Sequence, residues 1–137
     1  MSLFVDTSVW YAAADAADLS NSRAREILSA GETLVTSDHV LLEMWTLLRA
    51  RIHRHAAEVF WEGIRGGVAH LECVTTADLQ AAWSMGRDYR DQGFSMADRT
   101  SFAVMERLGI TRAASFNSHF AVYRFGPRRN RVFQVIR

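Results

Sequence analysis

Four oxygen-bearing side chains, Asp6, Glu43, Asp98 and Asn117, are placed along the chain where metal-dependent hydrolysis could be built. Asp6 directly follows the apolar run Leu3-Phe4-Val5, and Asn117 directly follows Ala113-Ala114-Ser115-Phe116. Both positions fall at the carboxyl ends of short apolar strands, where open α/β sheets bind their ligands. Glu43 lies within a helical stretch whose inward stripe is Leu41, Met44, Trp45 and Leu48. At about 100° per residue it sits at the edge of that stripe, beside Val40 and Leu47. Asp98 follows Ser95 at the offset of a helix-initiating capping box. Grouped carboxylates raise one another's pKa unless a cation neutralises them. Hard oxygen donors without a Cys or His cluster suit Mg²⁺ or Mn²⁺. Such ions suit the hydrolysis of phosphodiesters.

Each residue alone also has a plainer reading. Asp6 suits a turn or a helix cap, and Glu43 an ordinary helix surface. Asp98 suits the capping box, with a further gain of roughly 0.3–1 kcal/mol from the helix dipole. Asn117 suits a turn, a strand-end cap or a weak ligand through its amide oxygen. The joint placement carries the metal reading: two residues at strand ends, and two on helices able to flank the same edge.

The elements that must position these groups alternate along the chain. Strands are expected at 2–5, 33–36, 69–74, 113–116 and 132–136, and helices at 9–17, 20–30, 38–52, 53–64, 75–89 and 95–108. Residues 120–125 read as irregular or a short helix, and Gly126-Pro127 as a turn. Thr75 with Asp78 repeats the capping-box offset. Short apolar strands alternating with helices predict an α/β sandwich with a mainly parallel central sheet, as a single domain over 1–137. There is no internal repeat, linker or low-complexity tract.

Of the 137 residues, 49% are hydrophobic, which excludes a disordered chain. A net charge of +1, from 16 basic and 15 acidic residues, leaves any nucleic-acid contact to local clusters. Every basic residue is Arg. One such cluster, Arg49, Arg51, His53, Arg54 and His55, follows the Glu43 helix, and a second comprises Arg128, Arg129 and Arg131. Either can meet RNA phosphates or simply face water. Trp10 and Tyr11, just past Asp6, are the aromatic candidates for contact near the cleft. The lone Cys73 excludes an intrachain disulfide and is expected as a buried small hydrophobe in a strand. No apolar run approaches the ~18 residues of a membrane span, and the chain enters Leu3-Phe4-Val5 without a basic leader. The expectation is a soluble cytoplasmic protein with no membrane contact.

Four stretches carry a family likeness: LFVDTSVWYA, SDHVLLEMWTLLR, FSMADRTSFAVMERLGI and AASFNSHF. In this order they resemble the PIN-domain nucleases and, within them, the VapC-like toxins of type II toxin–antitoxin pairs. The resemblance implies a PIN-like three-layer α/β/α sandwich. It implies an Mg²⁺-dependent endoribonuclease, with Asp6, Glu43 and Asp98 as metal ligands and a 5′-phosphate and 3′-hydroxyl as product ends. It also implies a homodimer and a cognate antitoxin. Asn117 stands where the family commonly has a fourth Asp, and Ser115 where it has Thr. Thr7, Ser95, Thr100 and Ser101 are hydroxyls near the acids. The neutral Asn117 keeps an alternative open, a catalytically impaired PIN-like module that binds RNA or a protein. Phosphoryl transfer through Asp6 is disfavoured because the residue two positions on is Ser8, and no P-loop sequence is present.

Overall fold

A computed structural model describes residues 1–137. The elements, in chain order, are β1 (Ser2–Val5), α1 (Thr7–Ala14), α2 (Asn21–Leu28), β2 (Thr33–Ser37), α3 (Asp38–Arg51), α4 (Arg54–Arg65), β3 (His70–Glu72), α5 (Thr76–Asp88), α6 (Met96–Leu108), β4 (Arg112–Ala114), α7 (His119–Val122) and β5 (Gln134–Ile136). The five strands form one sheet in the order β3-β2-β1-β4-β5, and every adjacent pair is parallel. Successive crossovers step from β1 through β2 to β3, then reverse to β4 and β5. Right-handed connections therefore lay α1–α4 over one face and α5–α7 over the other, giving three layers.

The central strand β1 is covered on both faces, which is why it reads as an unbroken apolar run: Leu3, Phe4 and Val5 are fully buried. The chain order reverses between β1 and β4, so the switch point opens just beyond Val5 and Ala114. On the α6 face, Phe102 stacks on Tyr123 with centroids 4.5 Å apart and meets Phe120 edge-on at 4.8 Å. These rings fix α6 and α7 against the sheet. Gly109, at φ +69°, ends α6 in the left-handed conformation that a side chain disfavours.

Several boundaries differ from the sequence expectation for local reasons. Helix α1 stops at Ala14 rather than Ala17. The Asn21 amide donates to the carbonyls of Ala12, Ala13 and Asp15, and the Asp15 side chain accepts from Ala17 N–H to form a turn. Strand β3 ends at Glu72, so Cys73 lies past the strand and is exposed rather than buried. Strand β4 ends at Ala114; Ser115 stays buried, its N–H on Ile136 O, and Phe116 turns to line the cleft. No helix is long and apolar enough to cross a membrane.

Candidate active site

An open cleft of about 580 Å³ lies at the switch point, and Asp6, Glu43, Asp98 and Asn117 all line it. Asp6 arrives at the end of β1 and is the N-cap of α1. Its Oδ2 accepts from Ser8 Oγ and from Ser115 Oγ, each at 2.8 Å, and weakly from Ser8 N–H at 3.4 Å. Its Oδ1 has no hydrogen-bond partner in the protein. Asp98 is the third residue of α6 in a complete capping box: Ser95 Oγ accepts from Asp98 N–H, and Asp98 Oδ2 accepts from Ser95 N–H, both at 3.0 Å. Capping and cleft-lining are thus compatible, because the cap occupies one carboxylate oxygen only. Asp98 Oδ1 has a single long contact, 3.4 Å from the Asn117 amide nitrogen.

Both carboxylates are almost fully buried. Desolvation pushes the Asp6 carboxyl above its usual range; the Ser8 and Ser115 hydrogen bonds oppose this, and the Asp98 charge adds to it. Thr7 also lines the cleft, and its buried hydroxyl has no protein partner. Two buried acids, one with a free oxygen and the other with an oxygen held only by a long contact, beside an orphaned hydroxyl, form a donor set that suits a hard divalent cation keeping most of its waters. Glu43, half-buried on α3, lines the same cleft, but no three acidic or imidazole side chains converge on one point. The donor set closest to a grip is therefore Asp6 with Asp98, and Glu43 contributes a further carboxylate to the wall of the same cleft.

Asn117 is placed differently from a fourth ligand. Its Oδ1 accepts from His119 N–H at 2.8 Å, so its amide nitrogen faces Asp98. The amide oxygen considered from sequence as a weak ligand is already engaged. Ser115 Oγ is held in place by Asn117 N–H at 3.0 Å. Among the other hydroxyls, Ser101 donates back to Ala97 O and Thr100 to Met96 O, which are ordinary within-helix bonds. Replacing Ser95 with Ala removes the cap on Asp98 N–H and should cost about 1 kcal/mol, read as a fall of roughly 3–5 °C in the thermal midpoint.

Of the expected RNA-contacting residues, Arg51 lines the cleft, with its guanidinium over the Tyr11 ring at 5.2 Å. Arg49 is exposed outside the cleft lining, and Arg54 pairs with Glu58 on α4 at 3.3 Å. Arg129 pairs with Asp88. Tyr11 reaches the cleft, whereas Trp10 is buried and donates from Nε1 to Thr36 Oγ1 at 3.2 Å. Phe116 and His119 also line the cleft and were not singled out from sequence as site residues. The available signal for His119 was its place two residues after Asn117 in the fourth motif.

An all-parallel five-stranded sheet with buried acids at its switch point defines the class. A model of the PIN domain matches residues 3–126, and the chain belongs to the PIN domain family. Its relatives within the family are VapC proteins. The chain is 38% identical over 125 residues to the 23S rRNA-specific endonuclease VapC20 of Mycobacterium tuberculosis H37Rv, spanning 90% of this chain and 95% of the relative. It is 26% identical over 124 residues to Ribonuclease VapC26 of the same strain, spanning 89% and 92%. The crystal structure of VapC20, described as a Sarcin-Ricin loop cleaving toxin, superposes with a TM-score of 0.81 over 88% of this chain and 93% of that one, at 38% identity. VapBC2 from Rickettsia felis, solved with a promoter DNA fragment, shares the fold with a TM-score of 0.64 over 86% and 89%, at 13% identity.

Proposed function

We propose that this chain is an Mg²⁺-dependent endoribonuclease and the toxin of a toxin–antitoxin pair. The observation that carries the reading is the pair of buried carboxylates lining one cleft, Asp6 with Oδ1 free of hydrogen bonds and Asp98 with Oδ1 in only a long 3.4 Å contact from Asn117. Its relatives support the substrate class, since VapC20 is named for cleaving 23S rRNA and VapC26 as a ribonuclease. That makes 23S rRNA the first substrate to try.

Asp6 and Asp98 would hold Mg²⁺, or Mn²⁺ in its place. When bound, the ion supplies positive charge for the scissile phosphate and lowers the pKa of a coordinated water. Glu43 orients the attacking water from the α3 wall and accepts its proton. Arg51 offers a guanidinium to a neighbouring phosphate, held in position by Tyr11. Water adds to phosphorus as the bond to the 3′-oxygen breaks, and that oxygen takes a proton from solvent, giving a 5′-phosphate and a 3′-hydroxyl. The Ser8 and Ser115 hydroxyls keep the Asp6 carboxylate aligned through both steps. A cognate antitoxin that covers this cleft, a homodimer and a cytoplasmic site of action complete the proposal.

End-labelled RNA incubated with the purified protein tests it. Cleavage is expected with Mg²⁺ or Mn²⁺ and a return to background with EDTA. Cleavage undiminished in EDTA contradicts the proposal. RNA bound but uncut under every metal condition supports the alternative of a PIN-like binding module.

A further inference from the structure

The Asp98 carboxylate has a second fastening besides its helix cap. His119 Nδ1 lies 2.8 Å from Asp98 Oδ2. A carboxylate only accepts, so Nδ1 carries the proton and donates it into this bond. Oδ2 is then saturated by Ser95 N–H and His119 Nδ1–H together, while Oδ1 keeps only its long contact with Asn117. The imidazole is itself fixed. The His119 backbone N–H is held by Asn117 Oδ1 at 2.8 Å, and the ring meets Phe94 edge-on at 5.2 Å. No protein partner engages Nε2.

We infer that His119 is a positioning residue: by pinning Oδ2 it stops the Asp98 carboxylate from rotating and keeps Oδ1 turned to the cleft as a cation ligand. The inference rests on the reading of Asp6 and Asp98 as cation-holding residues. A carboxylate fastened by a single donor can turn about its Cβ–Cγ bond and share its time between orientations. Two donors on one oxygen remove that freedom and pre-organise the other. His119 thus acts through Asp98 and touches neither cation nor substrate in this role.

Mn²⁺ binding measured by isothermal titration calorimetry, without RNA, tests this. Wild type should bind Mn²⁺ and Asp6→Asn should not. His119→Leu should weaken binding by about tenfold or more, the range seen when a ligand-orienting partner is lost. His119→Asn places its amide nitrogen near the Nδ1 position and should bind within about threefold of wild type. His119→Gln carries its amide to the Nε2 position instead and should bind as weakly as His119→Leu. The Asn and Gln variants both keep a polar amide, so a split between them is not explained by lost packing against Phe94. They also decide the matter if His119→Leu does not fold. Equal affinities for wild type and His119→Leu, or equally weak binding by the Asn and Gln variants, would overturn the role of His119. If wild type and Asp6→Asn both fail to bind Mn²⁺, the cation reading itself fails. If wild type binds, Asp6→Asn does not, and every variant at 119 matches wild type, only the inference about His119 falls.

Discussion

Asp6→Asn is expected to lower RNA cleavage by about 10³-fold while leaving the fold intact and more stable than the wild type. The loss follows from removing one of the two charges proposed to hold the cation, and a defect near 4 kcal/mol is of the size found when a single electrostatic group at a reacting centre is removed. The gain in stability follows from the same burial. Asp6 is 4% exposed, its carboxyl is pushed above its usual range by desolvation, and Asp98 adds repulsion. An acid whose folded pKa is raised destabilises the native state once it is ionised, so a neutral isostere relieves that penalty at neutral pH. The Asn oxygen can still accept from Ser8 and Ser115, while its nitrogen supplies a donor towards Asp98. A rise of about 1–2 kcal/mol in unfolding free energy is expected, as is common where function strains a site. Parallel cleavage assays and thermal melts check both halves. Full activity, or a large fall in melting temperature, would refute the description of Asp6 as a strained, function-bearing acid.

Arg107→Leu is expected to produce the largest loss of stability. Arg107 donates to both oxygens of Asp78 at 2.9–3.2 Å, to Glu72 at 3.1 Å and to Cys73 O at 3.3 Å. It therefore ties α6 to the end of β3 and the start of α5. Asp78 is 3% exposed. Burial by itself raises its pKa, but the hydrogen bonds from Arg107 and Thr75 outweigh this and hold it below its ordinary 3.8. Removing the cation strands a buried carboxylate, which costs about 3–5 kcal/mol. At this chain length that is a fall of roughly 10–20 °C in melting temperature. The pH dependence has a fixed sign. A depressed carboxyl contributes stability that is complete above its unfolded pKa and is lost as pH falls through the folded one. The gap between wild type and Arg107→Leu should therefore be full at pH 7 and narrow as the pH is taken below 3.8. A gap that stays constant into acid would show that Arg107 acts by packing rather than by charge.

The sequence was most legible where one local pattern determined the outcome. The apolar run before Asp6, the capping boxes at Thr75 and Ser95 and the stop at Gly109 each depend on neighbours within a turn, and each appears in the structure at or within a residue or two of its expected place. Three of the four named residues lining the cleft, Asp6, Asp98 and Asn117, were legible by position because they follow strand ends or open a helix, whereas Glu43 lies mid-helix and was legible only through the family likeness. What escaped were partnerships made across the fold. Nothing local links Arg107 to Asp78, 29 residues away, or Ser115 to Asp6, 109 residues away. The fate of Trp10 turned on Thr36 in the adjacent strand, and that of Cys73 on how early β3 stops. Asn117 illustrates the same limit. Its residue type allowed a ligand oxygen, and only the His119 backbone N–H, two residues on, shows that oxygen engaged.

The proposed activity requires Asp6 and Asp98 together to hold a divalent cation. Anomalous diffraction from crystals soaked in Mn²⁺ addresses it. A manganese peak shared by the Oδ1 atoms of Asp6 and Asp98, absent from Asp6→Asn crystals, is the expected result. No peak in that cleft at saturating Mn²⁺, with these carboxylates open to solvent, would contradict it.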